Sequence, residues 1–219
     1  MATVVCNSDV LLVSSNPGMR AAVAVALRVH WHVRVARSLS ELDHQLRATI
    51  PALILLDLDV DNAEAVRSVE SIVPHASATR CVLVQRPVSF ASLFHEVRCV
   101  LAAHDGAPRL SPLSAEVIEY VATHYEKASI RDIAAALRIS ARHLHRRFRS
   151  ETTMPPKKFL DRVRIEAAKD VMGRWRNEKL QVIATSVGFY DASHLARTLR
   201  RNGEPSPAFY RRTHSDRCN

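Results

Sequence analysis

The chain has 219 residues, 47% hydrophobic and 24% charged, a balance that suits a globular fold and argues against a disordered or collagen-like one. Its formal net charge is +9, and no stretch approaches the ~20 apolar residues that a membrane-spanning helix needs. No basic region followed by a long apolar run opens the chain, so no signal peptide is expected and a cytoplasmic location is.

The charge is unevenly shared. Residues 1–105 hold nine arginines, no lysine and ten acids, whereas residues 106–219 hold 22 basic residues against 12 acidic ones. A polyanionic partner accounts for that asymmetry better than a general demand for solubility. Cys6, Cys81, Cys99 and Cys218 are scattered, with no C-x-x-C pair and no histidine at metal-ligand spacing. No metal and no cofactor is expected, and Cys81 and Cys99 read as small core residues.

In the first half, apolar runs of strand length alternate with longer amphipathic segments. Asp9–Ser14 reads as a buried strand, Pro17–Val29 as a helix and His32–Ala36 as a second strand. Ser38 is placed to cap the next helix, with Glu41 three residues on completing a capping box. Ala52–Leu56 is a strand apolar on both faces, Ala63–Val73 a helix, Cys81–Gln85 a strand and Ser89–Ala103 a helix. The alternation predicts an α/β domain with a parallel sheet and right-handed crossovers.

The segments Leu11–Pro17, Pro51–Asp59 and Gln85–Val97 give residues 1–105 a resemblance to the receiver domain of bacterial response regulators, a flavodoxin-like fold, here truncated. The resemblance makes Asp57 the candidate phosphoacceptor. The chemistry would need Mg²⁺ held by further carboxylates and a lysine against the developing charge. Ser14 and Ser15 stand where that family has its acidic pair, and Arg86 precedes Pro87 where it has lysine. Asp59 and Asp61 offer a makeshift acidic cluster, or are solvated loop residues. A receiver-like scaffold for dimerisation or signal input, without competent phosphorylation, is the expectation.

Gly106, Pro108 and Pro112 mark a stiffened linker over residues 106–113, leaving 114–213 as the second domain. Ser114 is expected to cap a helix bearing Val117, Ile118 and Val121, and Ser129 one that buries Ile130, Ile133, Ala134 and Leu137. Ser140 then caps a helix from Ala141 to Ser150. Leu144 and Phe148 face its core side. Arg142, His145, Arg146 and Arg149 recur at helical spacing on the opposite face. Three guanidiniums and an imidazole on one stripe suit guanine edges and flanking phosphates.

A helix from Pro156 to Gly173 is expected to bury Phe159, Val163, Ala167 and Val171 as a spacer. Its ~27 Å is close to the ~34 Å between successive major-groove faces. The device then repeats: Leu180, Ile183, Ala184 and Val187, a turn at Gly188, and a helix capped by Asp191 with Leu195 and Leu199 inward. Ser193, Arg197, Arg200 and Arg201 point outward, with Ala192 and His194 flanking them. A last helix opened by Ser206 carries Phe209 and Tyr210 as a packing cap.

Residues 132–148, 162–172, 182–201 and 206–212 make this half resemble the DNA-binding domain of the AraC/XylS family of bacterial transcription regulators. The resemblance implies an all-α domain of seven helices with two helix-turn-helix motifs, both recognition helices entering adjacent major-groove segments of double-stranded DNA. It assigns base readout to Arg142, His145 and Arg146, then to Ala192, Ser193, His194 and Arg197. Arg138 and Thr153 stand where the family favours glycine.

A sequence-specific DNA-binding regulator, homodimeric through its first domain and with RNA polymerase as a candidate partner, is the leading expectation. The rivals are a phosphorylatable response regulator centred on Asp57 and a protein whose basic half binds acidic proteins. No nucleophile elbow, metal-binding histidine pair or phosphate loop suggests an enzyme.

Overall fold

The alternating pattern of the first half yields a parallel sheet with helical connections. The computed structural model describes residues 6–29, 31–49, 51–57, 80–83, 93, 110–175 and 177–213. Strands β1 (Cys6–Ser14), β2 (His32–Ala36), β3 (Pro51–Asp57) and β4 (Arg80–Leu83) are ordered β2-β1-β3-β4, each neighbouring pair parallel. Helices α1 (Pro17–Leu27) and α2 (Leu39–Ala48) make the first two crossovers. The helix expected at Ala63–Val73 lies outside the described residues. So does the one at Ser89–Ala103, except that Leu93 is helical and buried.

On one face, Leu11, Val13, Ile54 and Leu56 form a core cluster with Ala36, Leu42 and Leu46. The alternate set Val10, Leu12, Leu53 and Leu55 is equally buried, as strands covered on both faces must be. Asp9 is buried too, and survives because Arg34 Nε donates to it at 2.8 Å and His32 Nδ1 lies 2.9 Å away. The same guanidinium donates to the carbonyls of Gln45 and Thr49, tying β1 and β2 to the end of α2. Ser38 caps α2 as expected, but Glu41 reaches back to the backbone N–H of Arg37 instead of closing the box on Ser38.

The chain divides into two compact units, residues 1–119 and 120–219. From Pro112 on, the described residues form seven helices: α3 (Pro112–His124), α4 (Ile130–Ala136), α5 (Ala141–Thr152), α6 (Pro156–Arg174), α7 (Leu180–Ser186), α8 (Ala192–Arg201) and α9 (Pro207–Thr213). The first of them corrects one expectation. α3 starts at Pro112, and it is Ser111 whose hydroxyl faces the N–H of Ser114, at 3.4 Å. Proline at the first helical position makes the preceding serine the natural cap. Ser114 sits inside the helix, fully buried, and its hydroxyl has no hydrogen-bond partner among the described residues.

α6 is the pillar of this half and packs against α5, α7, α8 and α9. Phe159, Val163 and Ala167 are buried as the spacing predicts, but Val171 is only half-buried. Leu160, Arg164, Ile165, Ala168 and Met172 are buried as well. A helix contacted by four others is covered on most sides and keeps only a partly exposed stripe through Lys158, Arg162, Glu166 and Lys169, so its burial exceeds the single row expected of a spacer. The Phe148 and Phe159 rings meet edge to face at 5.2 Å, a contact worth about 0.5–1.5 kcal/mol beyond the area it buries.

Candidate nucleic-acid interface

Both helix-turn-helix units are built by the same local chemistry. α4 opens on a full capping box: the Ser129 hydroxyl accepts from the N–H of Asp132, and Asp132 Oδ2 accepts from the N–H of Ser129. At its end, the N–H of Arg138 donates to the carbonyl of Ala135 and that of Ile139 to Ala134. α7 ends with the matching pair, Gly188 to Thr185 and Phe189 to Ala184. These are Schellman closures, and each needs one residue in the left-handed region. Gly188 takes it at φ +89° and Arg138 at φ +54°.

Gly188 has no alternative. A Cβ there would lie 2.3 Å from the carbonyl oxygen of Glu126 and 2.7 Å from Nε of Arg164. Arg164 is itself buried and donates to the carbonyls of Tyr125 at 2.8 Å and Ala128 at 2.9 Å. Burial pulls its pKa below the usual arginine value, with the Asp161 carboxylate opposing. Sequence reasoning missed this residue, since an arginine in a basic half is taken for surface.

The turns deliver α5 and α8. Ser140 caps α5 through the N–H of His143 at 3.1 Å, and Asp191 caps α8 through that of His194 at 2.6 Å. Gln181 of α7 adds a hold that sequence reasoning also missed: its Oε1 accepts from the N–H of Ala192 at 3.1 Å, fastening the scaffold helix to the start of the second outward helix. A signal was present, because a polar residue opposite the start of the next helix is free to cap it.

On α5, Leu144, Phe148 and Thr152 are buried, while Arg142, His145, Arg146 and Arg149 are all exposed and line one open depression with Ser150. No hydrogen bond or ion pair to a described residue engages these four side chains. Their neighbour Arg147, off the stripe, pairs with Glu151 at 2.8 Å. On α8, Leu195, Thr198 and Leu199 are buried, and Ser193, Arg197, Arg200 and Arg201 are exposed, again without an ion pair to a described residue. Some cations elsewhere in this half are matched internally: Lys157 with Asp161, Lys169 with Glu166 and Glu204, Arg174 with Asp170.

Two expected contacts are placed differently from the rest. Ala192 is half-buried, with its N–H held by Gln181. The half-buried His194 ring stands edge-on to Phe189 at 5.3 Å, with Nδ1 3.5 Å from the N–H of Tyr190. Tyr190 itself is 83% exposed in the turn.

α9 closes the domain through Tyr210, which is buried while Phe209 stays exposed. The Tyr210 hydroxyl donates to Glu204, and burial first, then that carboxylate, raises its pKa.

In the first unit, Asp57 ends β3 directly beside Ser14 of β1. The Ser14 hydroxyl donates to Asp57 Oδ2 at 2.7 Å, and the aspartate is 1% exposed. Asp59, Asp61 and Arg86, and the side chains of all four cysteines, lie outside the described residues. Among the described residues no group of histidine, cysteine and acidic side chains could hold a metal, and no helix is long and apolar enough to cross a membrane.

Residues 133–213 match the family model described as a helix-turn-helix domain. Over 133 residues the chain is 29% identical to the HTH-type transcriptional activator RhaS of Klebsiella pneumoniae (strain 342), covering 61% of this chain and 45% of that protein. It is 30% identical over 124 residues to the uncharacterized HTH-type transcriptional regulator YijO of Escherichia coli (strain K12), covering 56% of this chain and 44% of that one. The chain thus spans under half the length of these relatives. A solved structure, the C-terminal domain of AraT, a response regulator from Geobacillus stearothermophilus, is similar at 24% identity and a TM-score of 0.45, covering 48% of this chain and 88% of that one. Residues 133–213 are thus similar to a helix-turn-helix domain, and the chain is similar over part of its length to proteins named as transcriptional regulators.

Proposed function

We propose that this protein is a sequence-specific DNA-binding transcription regulator of the AraC type, its two helix-turn-helix motifs each laying an outward helix in the major groove. The observation that carries the proposal is the unneutralised cationic face on both outward helices. Arg142, Arg146 and Arg149 on α5 and Arg197, Arg200 and Arg201 on α8 are exposed without ion pairs to described residues, whereas Arg147, Lys157, Lys169 and Arg174 are paired within the protein. Such a surface gains most from a polyanion, whose condensed counterions are released on binding. Phosphates supply affinity, and side chains that reach base edges supply choice. On α5 these are Arg142, His145 and Arg146. On α8, Ser193 and Arg197 are the free candidates, Ala192 and His194 being held by neighbours within the protein. The relatives' names as transcriptional regulators support the same reading.

The first unit serves dimerisation or signal input without phosphorylation. The burial of Asp57 and its bond to Ser14 support this, since a phosphoryl donor must reach the carboxylate in line. A homodimer would bind two such sites, and RNA polymerase is a further partner in this reading. Selection of duplexes from a random pool with the full chain tests the central claim. Enrichment of one motif, with affinity falling on a log–log salt slope of about −0.9 per neutralised phosphate, is expected. A flat salt response removes DNA as the partner.

A further inference from the structure

The two turns make the same pair of hydrogen bonds yet differ in the residue at the left-handed position. At Gly188 glycine is forced by the Glu126 carbonyl and Arg164, and its φ is +89°. Arg138 occupies the corresponding position at φ +54°, where a side chain is strained and glycine would relieve the strain. Its side chain is exposed and makes no hydrogen bond or ion pair with a described residue. The left-handed turn is closed by its backbone hydrogen bonds, and among the described residues no side-chain contact of Arg138 adds to them. The turn also places Arg138 just ahead of the Ser140 cap, at the end of α5 that carries Arg142. That is the end of a recognition helix that meets the duplex.

We propose that Arg138 is a DNA-phosphate anchor: strain is retained in the first turn because the guanidinium there binds the duplex backbone beside the segment read by α5. The inference rests on the DNA-binding reading above and adds a contact which carries no base preference. A side chain held by the turn, and not by α5, would set how deeply and in what register α5 enters the groove, as phosphate contacts do.

Three variants of the full chain separate charge from backbone. Arg138→Gln keeps a strained side chain and removes the charge. Arg138→Gly removes both, and Arg138→Lys keeps both. The probes are the duplex selected by the wild type and an unrelated duplex of equal length, titrated over a range of salt. The expected result for Arg138→Gln is an affinity loss of about five- to tenfold at ~0.1 M salt, equal on both duplexes, with the log–log slope reduced by about 0.9. Arg138→Gly should show the same loss while its melting temperature rises, and Arg138→Lys should retain most of the affinity. The proposal is overturned if Arg138→Gln binds like the wild type on a duplex that the wild type binds in a salt-dependent way. It is overturned equally if only Arg138→Gly weakens binding, since that makes backbone freedom the cause, or if the loss is confined to the selected duplex, since that makes Arg138 a base reader. Should the wild type bind no duplex at all, the DNA-binding reading fails and this one with it.

Discussion

Arg164 Nε donates to the carbonyl of Tyr125 at 2.8 Å, and the same guanidinium forms one wall of the space in which Gly188 sits. The Tyr125, Glu126 and Ala128 carbonyls follow the last turn of α3, where helix acceptors have run out of intrahelical donors, and a cation there also complements the helix dipole. One buried side chain on α6 thus fastens the segment leading into the first helix-turn-helix and touches the turn of the second. With α6 packed on both α5 and α8, this explains how the two outward helices on one chain hold a fixed spacing.

Replacing Arg164 with methionine keeps much of the stem but leaves those carbonyls without a donor. Urea denaturation should show a loss of about 2–4 kcal/mol, with Arg164→Lys losing less. Burial lowers the guanidinium's pKa, so its charged form carries a desolvation penalty that disappears only as pH rises into the far alkaline range. The loss on substitution should therefore be constant across neutral pH.

The two left-handed glycines should answer differently to alanine. At Gly203 a Cβ meets nothing within 4 Å, so Gly203→Ala carries only the cost of φ +73°, about 1–2 kcal/mol. At Gly188 the same φ cost adds to a clash with the backbone of Glu126, so Gly188→Ala should lose about 3–4 kcal/mol. Equal losses by equilibrium denaturation would mean that the Glu126 backbone yields freely.

Thr153 ends α5 at φ +59°, an expensive conformation for a β-branched residue. Thr153→Gly should gain about 1 kcal/mol in the same denaturation measurement. Its DNA affinity should stay at the wild-type level, in contrast to that of Arg138→Gly.

Asp132 ties its pH dependence to the capping box. Its carboxyl is held below the ordinary value of 3.8 by the Ser129 side chain first and the Ser129 backbone second. A depressed folded pKa stabilises above the unfolded value, so the contribution is complete above pH 3.8 and fades as pH falls through the folded pKa. Acid titration of stability should show that slope in the wild type and lose it in Asp132→Asn.

Much of this was legible in the sequence because it depends on local pattern. The four strands, the Ser129, Ser140 and Asp191 caps and the outward stripe on α5 follow from period and cap chemistry alone. What escaped depends on tertiary contact. The carbonyls that allow Arg164 to be buried come from a segment distant in sequence, whereas the N–H that Gln181 accepts from lies just across the turn and needs the packing of α7 against α8 to be seen. His194 reads by spacing as flanking the outward face, and the resemblance adds base readout to it, yet Phe189 in the turn before it gives its ring an apolar neighbour. The cap at Ser111 was within reach, since Pro112 announces it, and was passed over for a serine that turns out to lie inside the helix.

The most direct measurement is base preference mapped along the selected duplex for Arg146→Ala and Arg197→Ala separately. Each substitution should cost about 1–3 kcal/mol and relax the choice of base in its own half of the site, the two halves lying about one helical turn, ~10 base pairs, apart. Relaxation in the same half for both, or a uniform loss on every sequence for both, would contradict two reading helices on one chain.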